Sequence, residues 1–274
     1  MTLNNVIDRY CVIGNPIAHS KSPLIHAAFA EQTGQSLTYV RELAPIDGFD
    51  AHVHALIVAG VRGANVTVPF KRDAARLATR LSARAQAAGA ANTLSFIDGA
   101  IVGDNTDGPG LVADIVQNAG VDLTGKRVLL LGAGGAARGV VLPLLQAGAA
   151  TIVVANRTRA TADALVAGFA DARVSSCEYN EVAHAFDVVV NATSASLAGA
   201  LPPVPAAAFG AGTLALDMMY AAKSTLFMDF AASHGASVRD GLGMLVEQAA
   251  EAFALWRGMR PVTAAVLQQL RSAA

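Results

Sequence analysis

The stretch "VLLLGAGGAARG", Val128 to Gly139, limits the fold of this chain more than any other. An unbroken apolar run before a glycine-rich turn reads as a parallel strand buried on both faces. Gly132, Gly134 and Ala137 fit the pattern G-x-G-x-x-G/A between that strand and a helix. The first glycine allows the tight turn, and the second lets a pyrophosphate approach the backbone. The small third residue lets the helix pack on the strand. Free N–H groups at the helix start then face an anion. The chain holds 25 glycines, so their spacing alone also fits a structural turn. The strand-turn-helix setting favours a dinucleotide.

The alternation of strand and helix continues downstream. "GAARGVVLPLLQAGA" reads as a helix, "TIVVAN" as a strand, "ATADALVAGFA" as a helix, and "DVVVNAT" and "TLALDMMY" as strands. Strands separated by helices imply crossover units and a parallel sheet covered on both faces. An NAD-binding version places an acid about twenty positions after the glycines. Here Asn156 ends the strand and Arg157 comes next. Asn156 does not repel a 2′-phosphate and Arg157 can pair with it, which favours NADP. A solvated arginine turn is the alternative.

Before about residue 105, short strands alternate with helical patterns. The spacing predicts strands at Tyr10–Ile13, Ser36–Leu43, Gly63–Val68, Thr93–Ile97 and Ala100–Gly103. It predicts helices at Ser22–Thr33, Ile46–Ala59 and Asp73–Arg80. "FIDGAIVGD" carries the Asp-Gly pair of a tight hairpin. "GMLVEQAAEAFALWRGMRPVTAAVLQQL" reads as two helices broken near Gly258 and Pro261.

A chain of 274 residues suits two domains. A hydrophobic fraction of 53% with 15% charged residues argues for buried elements over disorder. A net charge of -1 gives no footprint for nucleic acid or an anionic membrane, which leaves small-molecule partners. The start "MTLNNVIDRY" carries no secretory pattern. The uncharged run Gly139–Asn156 is divided by Pro143 and Gly148, so no membrane span is expected and the location is read as cytoplasmic. Cys11 and Cys177 are either a disulfide or two free thiols, and the free thiols suit a reducing cytosol.

Polar residues recur where strands end. "GNPIAHSKSP" gives Ser20 and Ser22, "GANVTVPFK" gives Asn65, Thr67 and Lys71, and "AGAANT" gives Asn92. "GDNTDG" gives Asp104, Asn105, Thr106 and Asp107. Hydroxyls, amides, one ammonium and a carboxylate suit a substrate with several hydroxyls and a carboxylate, and nothing resembles a metal cage. Each has a plainer reading: Ser22 before Pro23 can cap a helix, and Asp107-Gly108 can be a turn. His52 and His54 form H-x-H, but residues two apart on a helix do not share a face.

Taken in order with "LLLGAGGAARG", "NRT", "NATS", "DMMY" and "DGLGMLVEQAA", these motifs resemble the shikimate dehydrogenase family across nearly the whole chain. The resemblance implies NADPH-dependent, reversible reduction of 3-dehydroshikimate to shikimate, on the route to chorismate and aromatic amino acids. It implies a two-domain α/β fold. An N-terminal α/β substrate domain, 1–106, would be completed by the C-terminal helices 243–274. A Rossmann-like doubly wound domain would hold NADP over 107–242. By motif, Ser20 and Ser22 hold the substrate carboxylate. Thr67, Asn92, Asp107, Tyr220 and Gln248 meet its hydroxyls and ring, and Lys71 and Asp107 are the catalytic pair. Gly132, Ala133, Gly134, Gly135 and Ala136 contact the cofactor. So do Asn156, Arg157, Thr158, Arg159 and Thr161, with Met218 and Gly241. Lys71 is expected to donate the proton in reduction, oriented by Asp107 through an ion pair.

Three positions depart from the family's pattern. Thr161 stands where many relatives carry a second arginine, with Arg159 two residues earlier to take over part of the phosphate contact. Ser196 stands where glycine is usual, and Ala200 replaces an acid. The family includes monomers and homodimers, and no motif chooses between them. The rival readings are a quinate-active relative often using NAD, another two-domain dehydrogenase, and a non-catalytic NADP sensor.

Overall fold

The computed structural model describes residues 7–221 and 223–272. Its first elements are β1 (Asp8–Gly14), α1 (Ser22–Thr33), β2 (Leu37–Leu43), α2 (Phe49–Val58) and β3 (Val61–Val66). They continue with α3 (Lys71–Leu77), β4 (Arg80–Leu81), α4 (Ala83–Ala88), β5 (Thr93–Ile97) and β6 (Ala100–Asp104). The strands form one sheet in the order β2-β1-β3-β5-β6-β4. β1 runs parallel to β2 and β3, whereas β5 is antiparallel to β3 and β6.

Local chemistry sets these boundaries. Pro23 lies in the first turn of α1, and Gly34 closes the helix in the left-handed conformation. Asp98 and Gly99 both take positive φ, 49° and 76°, as a two-residue hairpin turn requires. Boundaries shift by up to three residues, with α2 at Phe49–Val58 against an expected Ile46–Ala59 and β3 at Val61–Val66 against Gly63–Val68, and one shift has a visible cause. The helix expected over Asp73–Arg80 starts at Lys71 and stops at Leu77, because Arg80 and Leu81 pair with Val102 and Gly103. Ser82 then caps the short helix α4 by accepting from the Ala85 N–H. Six residues are too few to show a helical period.

The elements continue with α5 (Asp107–Ala113), β7 (Arg127–Leu131), α6 (Gly135–Gln146), β8 (Thr151–Ala155), α7 (Arg159–Ala167) and β9 (Val174–Cys177). Then come β10 (Val188–Asn191), β11 (Leu214–Asp217), α8 (Leu226–Ser233), β12 (Ser237–Arg239), α9 (Leu242–Arg257) and α10 (Ala264–Ser272). The six strands from β7 to β12 are all parallel, in the order β12-β11-β10-β7-β8-β9. This is the doubly wound order, reversing beside β7. Both faces are buried. Val128, Leu130, Val188, Val190, Leu214 and Leu216 enter one core. Leu129, Leu131, Val189 and Ala215 enter the other. That two-sided burial explains why these strands read as continuous apolar runs.

Packing divides the chain into two compact units. One runs to Thr106 and resumes at Val246, and the other is Asp107–Leu245. Among the described residues, no helix is long and apolar enough to cross a membrane. Both cysteines are free, with burial pushing the Cys11 thiol up to about 12.

The first unit buries an unusual group. His26 of α1 stacks on Tyr39 at 4.1 Å and lies among Phe29, Phe253 and Trp256. Neither ring nitrogen has a hydrogen-bond partner. Burial therefore pulls its pKa down to about 3, with Asn65 offsetting only part of the effect. The unfolded chain takes up this proton near pH 6.5 and the folded chain does not. Stability is thus complete above that value and falls as pH drops. Between pH 7 and pH 5 the loss attributable to His26 is about 2 kcal/mol. Denaturant titrations at both pH values should show it in the unaltered chain and not in His26→Phe. Equal losses in both would contradict it.

Candidate active site

In the first sheet, strand register gathers the polar residues at one edge. Ile13 lies opposite Val66, Asn65 opposite Thr93, and Thr93 opposite Asp104. Each strand therefore turns into or out of the sheet at one level, and main-chain bonds lock the turns together. Thr67 N–H donates to Ile13 O at 2.9 Å, and Val66 N–H to Asn92 O at 2.7 Å. Asn92 N–H donates to Asp104 O at 3.0 Å, and Ala91 N–H to Lys71 O at 2.8 Å. Thr67, Lys71 and Asn92 become neighbours along that edge. Gly14 makes the approach possible, since a Cβ there would stand 2.5 Å from Thr67 Cγ2.

Ser20 and Ser22 occupy the loop from β1 into α1. Their hydroxyls lie 3.2 Å apart, and Ser22 N–H donates to Ser20 Oγ at 3.3 Å. Arg41 of β2 fixes the loop from outside by donating to Ser20 O through Nη2 and Nε, at 2.5 and 3.0 Å. Ser22 is buried, while Ser20, Thr67 and Lys71 are partly exposed. His19 points outward and is exposed.

Behind the edge runs a chain of amides and hydroxyls. Tyr39 donates to Asn65 Oδ1 at 2.7 Å, and Asn65 Nδ2 donates to Thr93 Oγ1 at 3.1 Å. Thr93 donates to Asn92 Oδ1 at 3.0 Å, which also accepts the Thr106 N–H at 2.7 Å. Asn92 Nδ2 donates to Gln248 Oε1 of α9 at 3.2 Å. Asn65 and Asn92 have oxygen and nitrogen assigned by partners, and the Gln248 oxygen is fixed by Asn92 and Thr106, so these amides are held in one orientation. The buried Tyr39 phenol is raised well above its usual value by desolvation, with Ser22 partly offsetting this.

The expected polar set divides on inspection. Asp104 is structural: Arg84 holds it at 2.7 and 2.9 Å and Ser82 at 2.5 Å. Burial alone would raise its carboxyl, but these partners hold it below the usual carboxylate value. Asn105 turns inward to Ala90 O. Asn65 serves Tyr39 and Thr93. His54 Nδ1 meets Asp50 O, while His52 lies 3.7 Å from Glu42, so the two histidines serve different neighbours. Tyr39, Arg41 and Glu247 went unread in the sequence. Glu247 is buried on Arg260 at 2.7 Å and Thr263 at 2.6 Å. Their partners lie on other elements, so no local motif marks them.

The second unit repeats the device with other residues. Leu131 pairs with Ala155 and Asn191, and Asn191 with Asp217, so β7, β8, β10 and β11 end together. Gly132 takes φ +98° and donates to Ala155 O at 2.8 Å. Gly134, Gly135 and Ala136 are exposed, and no atom lies within 4 Å of a Cβ built at either glycine. No side chain caps α6, which starts there. Open backbone at an uncapped helix start fits a pyrophosphate. Asn156 donates to Thr158 O at 2.9 Å, shaping the next turn, and Arg157, Thr158, Arg159 and Thr161 are all exposed on it. Met218 and Gly241 also meet: Gly241 N–H donates to Met219 O, and a side chain at 241 would strike Met218 O. Asp107 opens α5, and Tyr220 follows β11, where burial pushes its phenol up.

Ser196, unusual by sequence, has a task. Its hydroxyl donates to the buried Asp217 at 2.5 Å and accepts from Asn191 Nδ2 at 3.2 Å. Asp217 in turn takes Thr225 Oγ1 at 2.8 Å and Met219 N–H at 3.1 Å. Ser196→Ala should cost about 1–3 kcal/mol, the range for weakening a buried charged acceptor. Denaturant titration checks this, and an unchanged midpoint would contradict it.

Three family descriptions match the chain. They are "Shikimate dehydrogenase substrate binding domain" over residues 12–94, "Shikimate / quinate 5-dehydrogenase" over 113–199 and "Shikimate 5'-dehydrogenase C-terminal domain" over 241–271. A relative from Janthinobacterium sp. (strain Marseille), a shikimate dehydrogenase (NADP(+)), is 60% identical over 96% of this chain and 97% of its own. An Ael1 enzyme from Pseudomonas putida is 51% identical, with a TM-score of 0.93 over 96% of this chain and 98% of that one. Shikimate 5-dehydrogenase from Thermus thermophilus, solved with NADP(H) and shikimate, is 34% identical. Its TM-score is 0.87, over 98% of this chain and all 100% of the other.

Proposed function

The chain belongs to the shikimate dehydrogenase family, and from that premise we propose that it interconverts shikimate and 3-dehydroshikimate with NADP, using Lys71 and Asp107 as its catalytic pair. The observation that carries this reading is that Thr67, Lys71 and Asn92 stand together at one sheet edge of the first unit, where β1 ends and the loop holding the Ser20–Ser22 pair begins. These are the residue types a carboxylated polyol requires.

Ser20 and Ser22 bind the substrate carboxylate through hydroxyl donors. Thr67, Asn92 and Gln248 hold the ring hydroxyls, with Asp107 and Tyr220. The fixed amides of Asn92 and Gln248 lower the entropy lost on binding. NADPH, when bound, supplies hydride to the ketone carbon. As that carbon takes the electron pair, Lys71 stabilises the charge on oxygen and gives it a proton, which completes the hydroxyl. In the reverse direction Lys71 takes the proton back.

The second unit fits the cofactor by its open glycines and uncapped helix. Gly132 to Ala136 would take the pyrophosphate. Asn156, Arg157, Thr158, Arg159 and Thr161 form the turn at the ribose, and Met218 and Gly241 close the set. Arg157 makes no ion pair among the described residues, which supports it as the 2′-phosphate ligand. The domain roles follow: residues 1–106 with the C-terminal helices take substrate, and residues 107–242 take NADP. A reductive biosynthetic step with free thiols suits the cytoplasm.

Lys71→Ala should lower kcat by about 10²–10⁴, the usual share of acid–base catalysis, and change the KM for shikimate far less. Steady-state rates at saturating NADP check this. A kcat within a few-fold of the unaltered chain would remove Lys71 from the chemistry.

A further inference from the structure

Two arginines enter the turn after β8, and the structure treats them differently. Arg157 is exposed and makes no ion pair among the described residues. Arg159, at the start of α7, is neutralised twice. Its Nη1 meets Glu181 Oε1 and Oε2 at 3.0 and 2.6 Å, and its Nε lies 3.4 Å from Asp163 Oδ1. Strand pairing places Glu181 there. Ala155 lies opposite Cys177, so the turns after β8 and β9 leave the sheet side by side. Glu181 is itself anchored, because its carboxylate accepts the Glu178 N–H at 2.7 Å in a capping box.

We propose that Glu181 sets how strongly this chain prefers NADP to NAD, by occupying Arg159 so that Arg157 alone carries the 2′-phosphate. The proposal rests on the reading of residues 156–161 as the ribose-phosphate turn. The ion pair is half-exposed and individually weak, so a phosphate can compete for Arg159. Doing so strands the Glu181 carboxylate beside a dianion, and the resulting repulsion offsets the new attraction. Asp163 is a smaller competitor, since its Oδ1 also accepts the Ser176 hydroxyl at 2.5 Å. Two nearby arginines therefore deliver the attraction of about one.

Calorimetric titration of the full chain with 2′,5′-ADP and with ADP tests this without relying on turnover. Glu181→Gln removes the charge and keeps an acceptor for the Glu178 N–H. It should tighten 2′,5′-ADP about three- to fivefold and leave ADP within twofold. Adding Arg159→Ala to that variant should cancel the gain. No gain in Glu181→Gln, or a gain that survives loss of Arg159, would overturn the proposal. Arg157→Ala separates the two readings. It should weaken 2′,5′-ADP and spare ADP. Unchanged 2′,5′-ADP binding there would overturn the reading of the turn, and the proposal with it.

Discussion

Asn92 is the residue on which the polar edge of the first unit depends. Its backbone bonds to Val66 and Asp104, which joins the ends of β3 and β6. Its side chain accepts from Thr93 and Thr106 and donates to Gln248. A buried amide in such a position is costly unless every atom is satisfied, and here the partners also dictate which end is nitrogen. One side chain thereby joins strand register to the orientation of the polar groups along that edge. Tyr39 and Asn65 extend the same order inward to the aromatic cluster around His26.

The two units solve similar problems by one geometric rule. A strand that ends at an edge presents its next residues to solvent, and register decides which strands end together. In the first unit this yields hydroxyls, amides and an ammonium along one edge. In the second it yields open backbone at Gly134 and Gly135, an arginine turn and the Met218 loop. The buried acid Asp217 holds that loop, and Ser196 supplies one of its donors. Ser196 is therefore part of a hydrogen-bonded centre.

What could be read from the sequence was what neighbours along the chain determine. The bounds of α1 follow from Ser22-Pro23 and Gly34, the hairpin from Asp98-Gly99, and the buried strands from unbroken apolar runs. β4, β9 and β12 were not legible, because they are short and lack the apolar runs that mark β10 and β11. Roles decided by distant partners were hidden as well. Asp104 looked like a site residue until Arg84 and Ser82 were seen to hold it. Arg159 read as a phosphate contact, and the fold adds that Glu181, from the turn after the neighbouring strand β9, already meets its charge. Both residues are charged groups in a promising motif, and only the fold shows what already neutralises them.

The most direct test of the central claim is a single set of initial rates, with shikimate and with quinate, each in NADP and in NAD, followed at the nicotinamide absorbance. The proposed reading of Ser20, Ser22, Thr67, Lys71 and Asn92 as substrate ligands, and of residues 156–161 as a ribose turn that itself includes no acid, predicts rapid oxidation of shikimate with NADP and slow oxidation of quinate. Equal rates with quinate or with NAD would contradict the assigned specificity, and no turnover in any combination would contradict the catalytic role itself.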